Sequence, residues 1–303
     1  RELRGSALPS QANFVLGQFA DASWVADGLA SLGIAVRRYA GTSRLGNRLR
    51  ITCPGDRVDL QRLTDALPTT LDPQALLFDM DGVLADVSRS YRAAIVGTAR
   101  AFRVELTPAD VSEAKAAGNA NNDWELTQRL LAQRGAAVSL AEVTERFEAL
   151  YQGAAGAPGL RDTETLLLPR EFLESLARKL PLGIVTGRPR RDCQRFLNRF
   201  GIAHLFQIAV CMEDAPAKPD PSPVHKALEA LGAPRAWLIG DTPDDILASR
   251  RAGVLPIAVV APGADTPNAQ SAMQTLTRCG AARVATSAQE LMQLLEARLC
   301  RTQ

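Results

Sequence analysis

Residues 75–83 read ALLFDMDGV, and this stretch decides the fold class. Its first four residues form a short, continuous apolar run, as expected for a parallel strand that is buried on both faces. The run stops at Asp79 and Asp81, and Gly82 behind them lets the backbone turn tightly. The stretch therefore predicts a buried strand with two carboxylates at its carboxyl end.

Three later segments repeat this pattern of an apolar run that stops at a polar turn. They are residues 182–185, 237–239 and 255–260. Helical stretches follow or separate these runs, at residues 192–200, 223–231, 244–252 and 288–299. Strands that alternate with helices predict an α/β fold with a doubly wound, Rossmann-like parallel sheet, which binds ligands at the carboxyl ends of its strands. We assign this core to residues 74–87 and 165–303.

Residues 88–164 change to helical periodicity without any strand-like run. Helices are expected at residues 91–102, 108–117, 123–134 and 140–151. We call this predicted helical insertion the cap. Because it directly follows the first core strand, it is placed to cover the strand ends and to exclude water from them.

Residues 1–68 predict a small α/β unit, which we call the N-terminal module. Its expected elements are an apolar strand within residues 12–19, helices at 22–32 and 57–67, and strands at 34–39 and 48–53. Residues 68–73 have a proline at each end and disfavour regular structure, so they predict an irregular linker to the core.

The composition excludes several classes of protein. The chain has 303 residues and a formal net charge of +2, from 35 Lys and Arg against 33 Asp and Glu, so no nucleic-acid partner is expected. No apolar run approaches the roughly 20 residues of a membrane helix, so no membrane partner is expected either. The 5 cysteines form no CxxC pair, which argues against a zinc site or a disulfide framework and favours a cytoplasmic location. With only 2 histidines, any hydrolysis must use carboxylates.

Polar groups follow the predicted strands in a fixed order along the chain. They are Asp79 with Asp81, then Thr186-Gly187-Arg188, then Lys218, then Asp241 with Asp244 and Asp245. A hydroxyl, free backbone amides and a fixed cation suit an anionic ligand, and the carboxylates suit a metal ion. Taken singly, each feature also has a structural explanation: aspartates that cap a turn, a turn hydroxyl and a solvated lysine.

As an ordered set, these motifs resemble those of the haloacid dehalogenase superfamily, from about residue 76 to the C-terminus. The cap lies at the position of the C1 cap of subfamily I. The resemblance implies that Asp79 is the nucleophile, that Asp81 protonates the leaving group and then activates water, and that Thr186 and Lys218 bind the phosphoryl group. It also implies the metal ligands, which are Asp79, the backbone carbonyl of Asp81, and Asp241, with Asp245 holding them or their waters. Asp244 is expected to point elsewhere on its helix.

The chemistry of phosphate esters leads to the same cofactor. A phosphate monoester dianion repels a carboxylate nucleophile, so the attack needs a divalent cation, and Mg²⁺ prefers hard oxygen ligands. We therefore expect a Mg²⁺-dependent phosphatase that hydrolyses a small phosphorylated metabolite through an aspartyl-phosphate intermediate. The alternatives are a phosphomutase and a non-catalytic interaction protein that keeps the fold as a scaffold.

Substrate contacts are expected both on the core and in a polar loop of the cap. The predicted contacts are Gly187, Arg188, Lys115, Asn119 and Asn122. For Arg188 the alternative is a solvated helix start shared with Arg190 and Arg191. Asp123, in the same cap loop, is expected to cap the next helix.

The N-terminal module resembles the last part of the histidinol-phosphate aminotransferases, through residues 8–15, 33–37 and 49–52. The chain lacks the large domain that carries the cofactor lysine in that family, so transamination is not expected. The resemblance implies that Arg50 binds an anion, with a salt bridge as the alternative. It also makes histidinol phosphate a candidate substrate for the neighbouring phosphatase. The other role considered for the module is docking or homo-oligomer formation.

Overall fold

The computed structural model describes residues 5–39, 41, 43–154, 157–262 and 266–299, without the side chains of residues 266–268; Cys300 lies outside these ranges. The N-terminal module consists of β1 (Gly5–Ala7), β2 (Phe14–Phe19), α1 (Ala22–Ser31), β3 (Arg37–Arg38), β4 (Arg48–Thr52) and α2 (Arg57–Leu71). Its strands form an antiparallel sheet in the order β1-β2-β4-β3. The strand expected at residues 34–39 is only two residues long, because Ile34 and Val36 pack against the apolar core instead of pairing with β4.

The predicted linker is helical over residues 68–71, so the prediction of irregular structure there is wrong. Two indoles explain why α2 continues through its proline. Trp237 donates its Nε1–H to the carbonyl of Thr69 at 2.8 Å, and Trp24 donates its Nε1–H to the carbonyl of Thr70 at 3.1 Å. Carbonyls in the last turn of a helix have no intrahelical donor, so these tertiary contacts satisfy them and override the local preference.

The cap leaves and rejoins the core at one two-stranded ribbon. After β5 (Ala75–Phe78), the strand β6 (Ala85–Asp86) pairs antiparallel with β7 (Thr165–Leu166). Between these two strands lie α3 (Tyr91–Ala101), α4 (Pro108–Ala116), α5 (Asp123–Gln133) and α6 (Leu140–Gln152). Capping boxes at Thr107 and Ser139 fix the starts of α4 and α6, which is why these starts were readable in the sequence.

The rest of the chain completes the core. Its elements are α7 (Arg170–Ala177), β8 (Leu182–Val185), α8 (Arg190–Arg199), β9 (Phe206–Val210), α9 (Ser222–Leu231), β10 (Ala236–Gly240), α10 (Pro243–Arg251), β11 (Leu255–Val259), α11 (Thr266–Cys279), β12 (Arg283–Ala285) and α12 (Ala288–Leu299). All six core strands are parallel, in the order β12-β11-β10-β5-β8-β9, which confirms the predicted fold class.

The two edge strands of this sheet were not predicted. β9 is only partly buried, so it lacks the continuous apolar run of a central strand, and β12 has only three residues. The four predicted strands are the inner ones, and every residue in them is buried. None of the helices in the described ranges combines the length and the apolar character needed to cross a membrane.

Candidate active site

Three neighbouring strands bring the predicted site residues to one edge of the sheet. Asp79 follows β5, Thr186 follows β8 and Asp241 follows β10, and β5 lies between the other two strands. Since the strands are parallel, their carboxyl ends meet at that edge. Lys218 reaches the same place from the loop before α9.

Lys218 is the centre of a buried ionic cluster and is only 3% exposed. Its Nζ donates to Asp79 Oδ1 at 2.6 Å, to Asp245 Oδ1 at 2.5 Å and to the carbonyl of Val185 at 2.9 Å. All three ammonium protons are thus used, and Asp79 is held in a fixed position. Burial alone would lower the pKa of Lys218, but Asp245 and Asp79 outweigh it, and its pKa lies above the ordinary lysine value.

The carboxylates of this cluster crowd one another. Burial, opposed by Lys218 and reinforced by Asp245 and Asp81, raises the pKa of Asp79 to about 7. Burial and the neighbouring Asp245 and Asp79 also raise the pKa of Asp241 well above its usual range. The charged forms of these groups therefore need further positive charge beyond that of Lys218.

Three aspartates of the cluster could hold a metal ion, because Asp79, Asp241 and Asp245 each place one oxygen within 4.8 Å of the others. Oδ1 of Asp241 is buried and has no hydrogen-bond partner among the described residues. A buried carboxylate oxygen without a partner costs free energy unless a cation or a donor meets it. The donor set consists of hard oxygens, which fits Mg²⁺.

Gly82 and Asp245 shape this acidic cluster in different ways. Gly82, at φ +75°, leaves room for Asp241, since a Cβ there would lie 2.3 Å from Oδ2 of that carboxylate. Both oxygens of Asp245 are already hydrogen-bonded, Oδ1 by Lys218 and Oδ2 by the N–H and hydroxyl of Thr242. Asp245 therefore fixes Lys218 and the start of α10.

Thr186 and Gly187 stand at the end of β8, as the sequence predicts. The backbone N–H of Arg188 donates to Thr186 Oγ1 at 3.2 Å, and the hydroxyl proton of Thr186 has no acceptor among the described residues, so it can donate to a ligand. A Cβ at Gly187 would lie 2.3 Å from the carbonyl oxygen of Asn121, so only glycine fits beneath the cap loop here.

Arg188 is not part of a solvated helix start, because its side chain is only 1% exposed. It pairs with Asp81 and with Glu164, and it lies over the rings of Tyr91 and Phe196. The side chains of Arg190 and Arg191 are solvated, at 53% and 65% exposed. A solvated helix start was the wrong interpretation of Arg188, because Glu164, its main partner, lies 24 residues away in the sequence.

The cap residues that were predicted to contact the substrate lie in different surroundings. Lys115 and Asp123 form a buried ion pair at 2.8 Å, so Asp123 is not the helix cap that the sequence predicts. Asn122 caps α5 instead, by accepting the N–H groups of Trp124 and Glu125. Asn122 also lines a small cavity together with Asp81, Gly187 and Arg188, whereas Asn119 lines a groove formed by cap residues.

Asp244 and Asn121 were not among the predicted site residues, yet they join the cap to the core. Asp244 is buried and accepts the backbone N–H groups of Asn119 at 2.9 Å and Ala120 at 3.0 Å. The side-chain amide of Asn121 donates to Asp244 Oδ2 and to the carbonyl of Lys218, both at 3.0 Å. We call this set the cap latch. Nothing in the local sequence signals it, since the partners are more than 90 residues apart.

Comparisons with known proteins agree with this geometry. A family model described as haloacid dehalogenase-like hydrolase matches residues 76–259. The chain is 51% identical over 197 residues to an imidazoleglycerol-phosphate dehydratase of Phytophthora nicotianae, a match that covers 62% of this chain and 44% of that protein. It is 28% identical over 211 residues to a phosphoglycolate phosphatase of Rhodospirillum rubrum, with 63% and 80% covered. The chain thus spans less than half the length of the first of these relatives.

Solved structures share the fold. A hydrolase from Pseudomonas syringae is 22% identical and superposes with a TM-score of 0.59, over 74% of this chain and 98% of that one. At this identity the likeness concerns the fold alone. Because the family model covers more than half of the sequence, the chain belongs to the haloacid dehalogenase-like hydrolases.

Proposed function

We propose that this chain is a Mg²⁺-dependent phosphatase that hydrolyses a small phosphate monoester through an aspartyl-phosphate on Asp79. The observation that carries the proposal is the buried Asp79 carboxylate, held by Lys218 at 2.6 Å beside the unpartnered oxygen of Asp241. The phosphoglycolate phosphatase of Rhodospirillum rubrum supports the same reaction class.

Each protein group has a defined task in this reaction. A carboxylate oxygen of Asp79 bonds to phosphorus while the bond from phosphorus to the ester oxygen breaks, and Asp81 gives its proton to the leaving alkoxide. Asp81 then removes a proton from the water that hydrolyses the aspartyl-phosphate. Lys218 steadies Asp79, and the free hydroxyl proton of Thr186 donates to a phosphoryl oxygen.

Asp79, Asp241 and the backbone carbonyl of Asp81 would hold the Mg²⁺, with Asp245 orienting the cluster. When bound, the ion supplies positive charge next to the phosphoryl oxygens.

The first test measures the phosphate that the wild type and Asp79→Asn release from phosphate monoesters, with and without Mg²⁺. The esters are histidinol phosphate, phosphoglycolate and sugar phosphates. We expect the wild type to release phosphate only with Mg²⁺ and Asp79→Asn to release none. Asp59→Asn, at an exposed position of the N-terminal module, is the matched control and should match the wild type. Equal signals from wild type and Asp79→Asn would refute the proposal, and isomerisation without phosphate release would favour the phosphomutase.

A second test concerns the metal alone. Mg²⁺ binding to the native state should raise the melting temperature of the wild type, since a ligand that binds only the folded protein stabilises it. Asp241→Asn should lose this shift while remaining folded without Mg²⁺, because it removes one carboxylate from a crowded buried cluster. A full Mg²⁺-induced shift in Asp241→Asn would contradict the assignment of Asp241 as a ligand.

For the substrate, histidinol phosphate is one candidate. The resemblance of the N-terminal module to histidinol-phosphate aminotransferases supports this choice and stays a prediction. The dehydratase from Phytophthora nicotianae, by its name, acts on another imidazole-bearing phosphate ester.

Phosphoglycolate is the competing substrate, and a cavity in the protein favours it. Beside Asp241 lies a cavity of about 360 Å³, lined on the cap side by Arg92, Glu113 and Lys115. Among the described residues Arg92 forms no ion pair with a carboxylate, so its charge could meet an anionic leaving group. A comparison of kcat/KM for histidinol phosphate, phosphoglycolate and sugar phosphates separates the candidates. If histidinol phosphate does not show the highest value, the candidate drawn from the N-terminal module is refuted.

The cytoplasmic location, the absence of a nucleic-acid or membrane partner, and homo-oligomer formation through the N-terminal module remain predictions from the sequence.

A further inference from the structure

A buried polar cluster surrounds Arg188 on the side of the site away from Lys218. Nε of Arg188 donates to Asp81 Oδ1 at 2.5 Å. Its two terminal nitrogens donate to the two oxygens of Glu164, at 3.0 and 3.1 Å. This is the paired, planar geometry in which a guanidinium binds a carboxylate most specifically.

The guanidinium of Arg188 forms its ion pairs within this cluster. One guanidinium faces two carboxylates, those of Asp81 and Glu164, and Arg188 is only 2% exposed. A guanidinium that is buried and already paired with two carboxylates is poorly placed to bind a phosphate group as well. The predicted role of Arg188 as a substrate contact therefore has less support than a role in holding Asp81.

Glu164 connects the cluster to both chain crossings between core and cap. It lies directly before β7, where the cap rejoins the core, and it is 3% exposed. Its Oε1 accepts the hydroxyl of Ser90, which directly precedes α3, at 2.8 Å, and the hydroxyl of Tyr151 of α6 at 3.1 Å. One carboxylate thus ties the outgoing chain, the returning chain and the last cap helix to Arg188.

The arrangement leaves one oxygen of Asp81 available for proton transfer. Among the hydrogen bonds of the described residues, Asp81 uses only Oδ1, and its side chain is 21% exposed. Fixing one oxygen of a carboxylate sets the direction in which the other oxygen points.

We propose that Arg188 and Glu164 are positioning residues that hold Asp81 in the orientation required for proton transfer and link this orientation to the cap hinge. The inference rests on the proposed phosphatase activity and on the role of Asp81 in it. Arg188 acts through Asp81 and does not touch the reacting phosphate.

The test compares two esters that differ in their need for a proton. Glycerol 3-phosphate releases an alkoxide, which must be protonated, whereas 2,4-dinitrophenyl phosphate releases a stable phenolate. A variant that misplaces Asp81 should therefore lose the first reaction and keep the first turnover of the second. Both esters are measured with the full chain and Mg²⁺, under steady-state and single-turnover conditions.

For Arg188→Lys we expect kcat on glycerol 3-phosphate to fall by about 10²-fold, the lower range for general acid catalysis. KM should stay within about 3-fold of the wild type, since no substrate contact is removed. With 2,4-dinitrophenyl phosphate, one equivalent of phenolate should appear at nearly the wild-type rate. Later turnovers should be slow, because Asp81 also activates water.

Two further variants keep the test decisive. Glu164→Gln preserves the shape of the side chain but removes its charge, and it should show the same pattern with a smaller loss, even if Arg188→Lys does not fold. Arg195→Lys, at an exposed arginine of α8, is the matched control and should behave as the wild type. Circular dichroism establishes that each variant is folded.

Several outcomes would overturn the inference. A rise in KM with unchanged kcat would make Arg188 a substrate contact. An equal loss in the first turnover of both esters, in Arg188→Lys and in Glu164→Gln, would indicate a general structural role. If the wild type hydrolyses neither these two esters nor histidinol phosphate, phosphoglycolate or a sugar phosphate, the phosphatase proposal is refuted and this inference with it, which distinguishes the two failures.

Discussion

The core sheet meets the N-terminal module and the cap at two junctions whose central contacts differ in chemistry. At the module junction, the rings of Trp24 and Trp237 lie 5.2 Å apart, both residues are at most 3% exposed, and both indoles donate to carbonyls of α2. At the cap junction, the latch consists of Asp244 and Asn121, which bind backbone groups through hydrogen bonds. The buried indole contact of the first junction excludes water, whereas the latch of the second consists of hydrogen bonds between polar groups.

This difference indicates different tasks for the two junctions. Separating the module would expose aromatic surface, at roughly 25 cal/mol per Å² of apolar area. Opening the latch exposes groups whose hydrogen bonds to one another contribute only about 0.5–1.5 kcal/mol each, because water can take their place. We therefore expect the module to stay attached and the cap to open and close over the site. Changes at the module junction should affect stability, and changes at the latch should affect local opening and activity.

The largest effect is expected for Trp24→Ala. It removes a buried aromatic side chain and leaves a cavity between α1, α2 and β10, so the free energy of unfolding should fall by about 3–5 kcal/mol. Urea unfolding measures this loss. Per folded molecule, phosphate release should be unchanged, because Trp24 lies outside the candidate site.

Trp24→Phe is the control for that prediction. It keeps an aromatic ring beside Trp237 and removes the donor to Thr70, so it should recover most of the lost stability. If Trp24→Ala were as stable as the wild type, the module junction would not be the apolar, water-excluding contact described above.

Gly28→Ala should give the next largest effect. A Cβ at Gly28 in α1 would lie 2.3 Å from Cγ2 of Thr70, a fully buried side chain that is hydrogen-bonded to α2. Alanine favours a helix by about 1 kcal/mol over glycine. The overpacking should outweigh this gain and destabilise the protein by about 1–3 kcal/mol in urea unfolding. A stabilising Gly28→Ala would mean that α1 and α2 can move apart freely.

Asp244→Ala tests the other junction. The backbone N–H groups of Asn119 and Ala120 lose their acceptor in this variant. Because one or two hydrogen bonds no longer oppose local opening, the hydrogen exchange of these two amides should accelerate by about 10–100-fold. Amides of the central strands should keep their protection. Equal acceleration in β10 would show that the latch supports global stability and that the two junctions do not differ as argued.

The sequence predicted those elements whose burial produces a recognisable pattern of apolar residues along the chain. Strands such as residues 182–185 are buried on both faces and therefore read as continuous apolar runs. The edge strand β9 is partly buried and gives no such run. The prediction for the end of α2 was wrong because the indoles of Trp24 and Trp237, which are distant in sequence, satisfy the last carbonyls of this helix.

The candidate site divides in the same way. Asp79, Thr186 and Asp241 each follow a recognisable strand, so their meeting could be inferred from the topology of a parallel sheet. The partners of Arg188 and Asp244 are set by the packing of the cap on the core. No residue type or spacing near either position reveals such a contact, and only the structure shows it.

The smallest effect concerns an ion pair at the edge of the module junction, between Asp21 and Arg298 at 2.5 Å. Burial alone would raise the pKa of Asp21, but the N–H of Trp24 and Arg298 outweigh it, and its pKa lies below the usual range. A carboxyl whose pKa is lowered by folding stabilises the native state above its unfolded pKa, and this contribution is lost as the pH falls through the folded pKa.

Asp21→Asn should therefore lower the free energy of unfolding by less than about 1 kcal/mol at pH 7, because the pair is partly exposed. Asparagine is also a good helix cap, so the substitution removes the charge and retains the bond to Trp24. The difference between wild type and variant should shrink as the pH falls below about 4, near the ordinary pKa of aspartate. Urea unfolding at a series of pH values measures this difference. If it stayed constant down to pH values at which Asp21 is protonated, the charge of Asp21 would contribute nothing to stability at this junction.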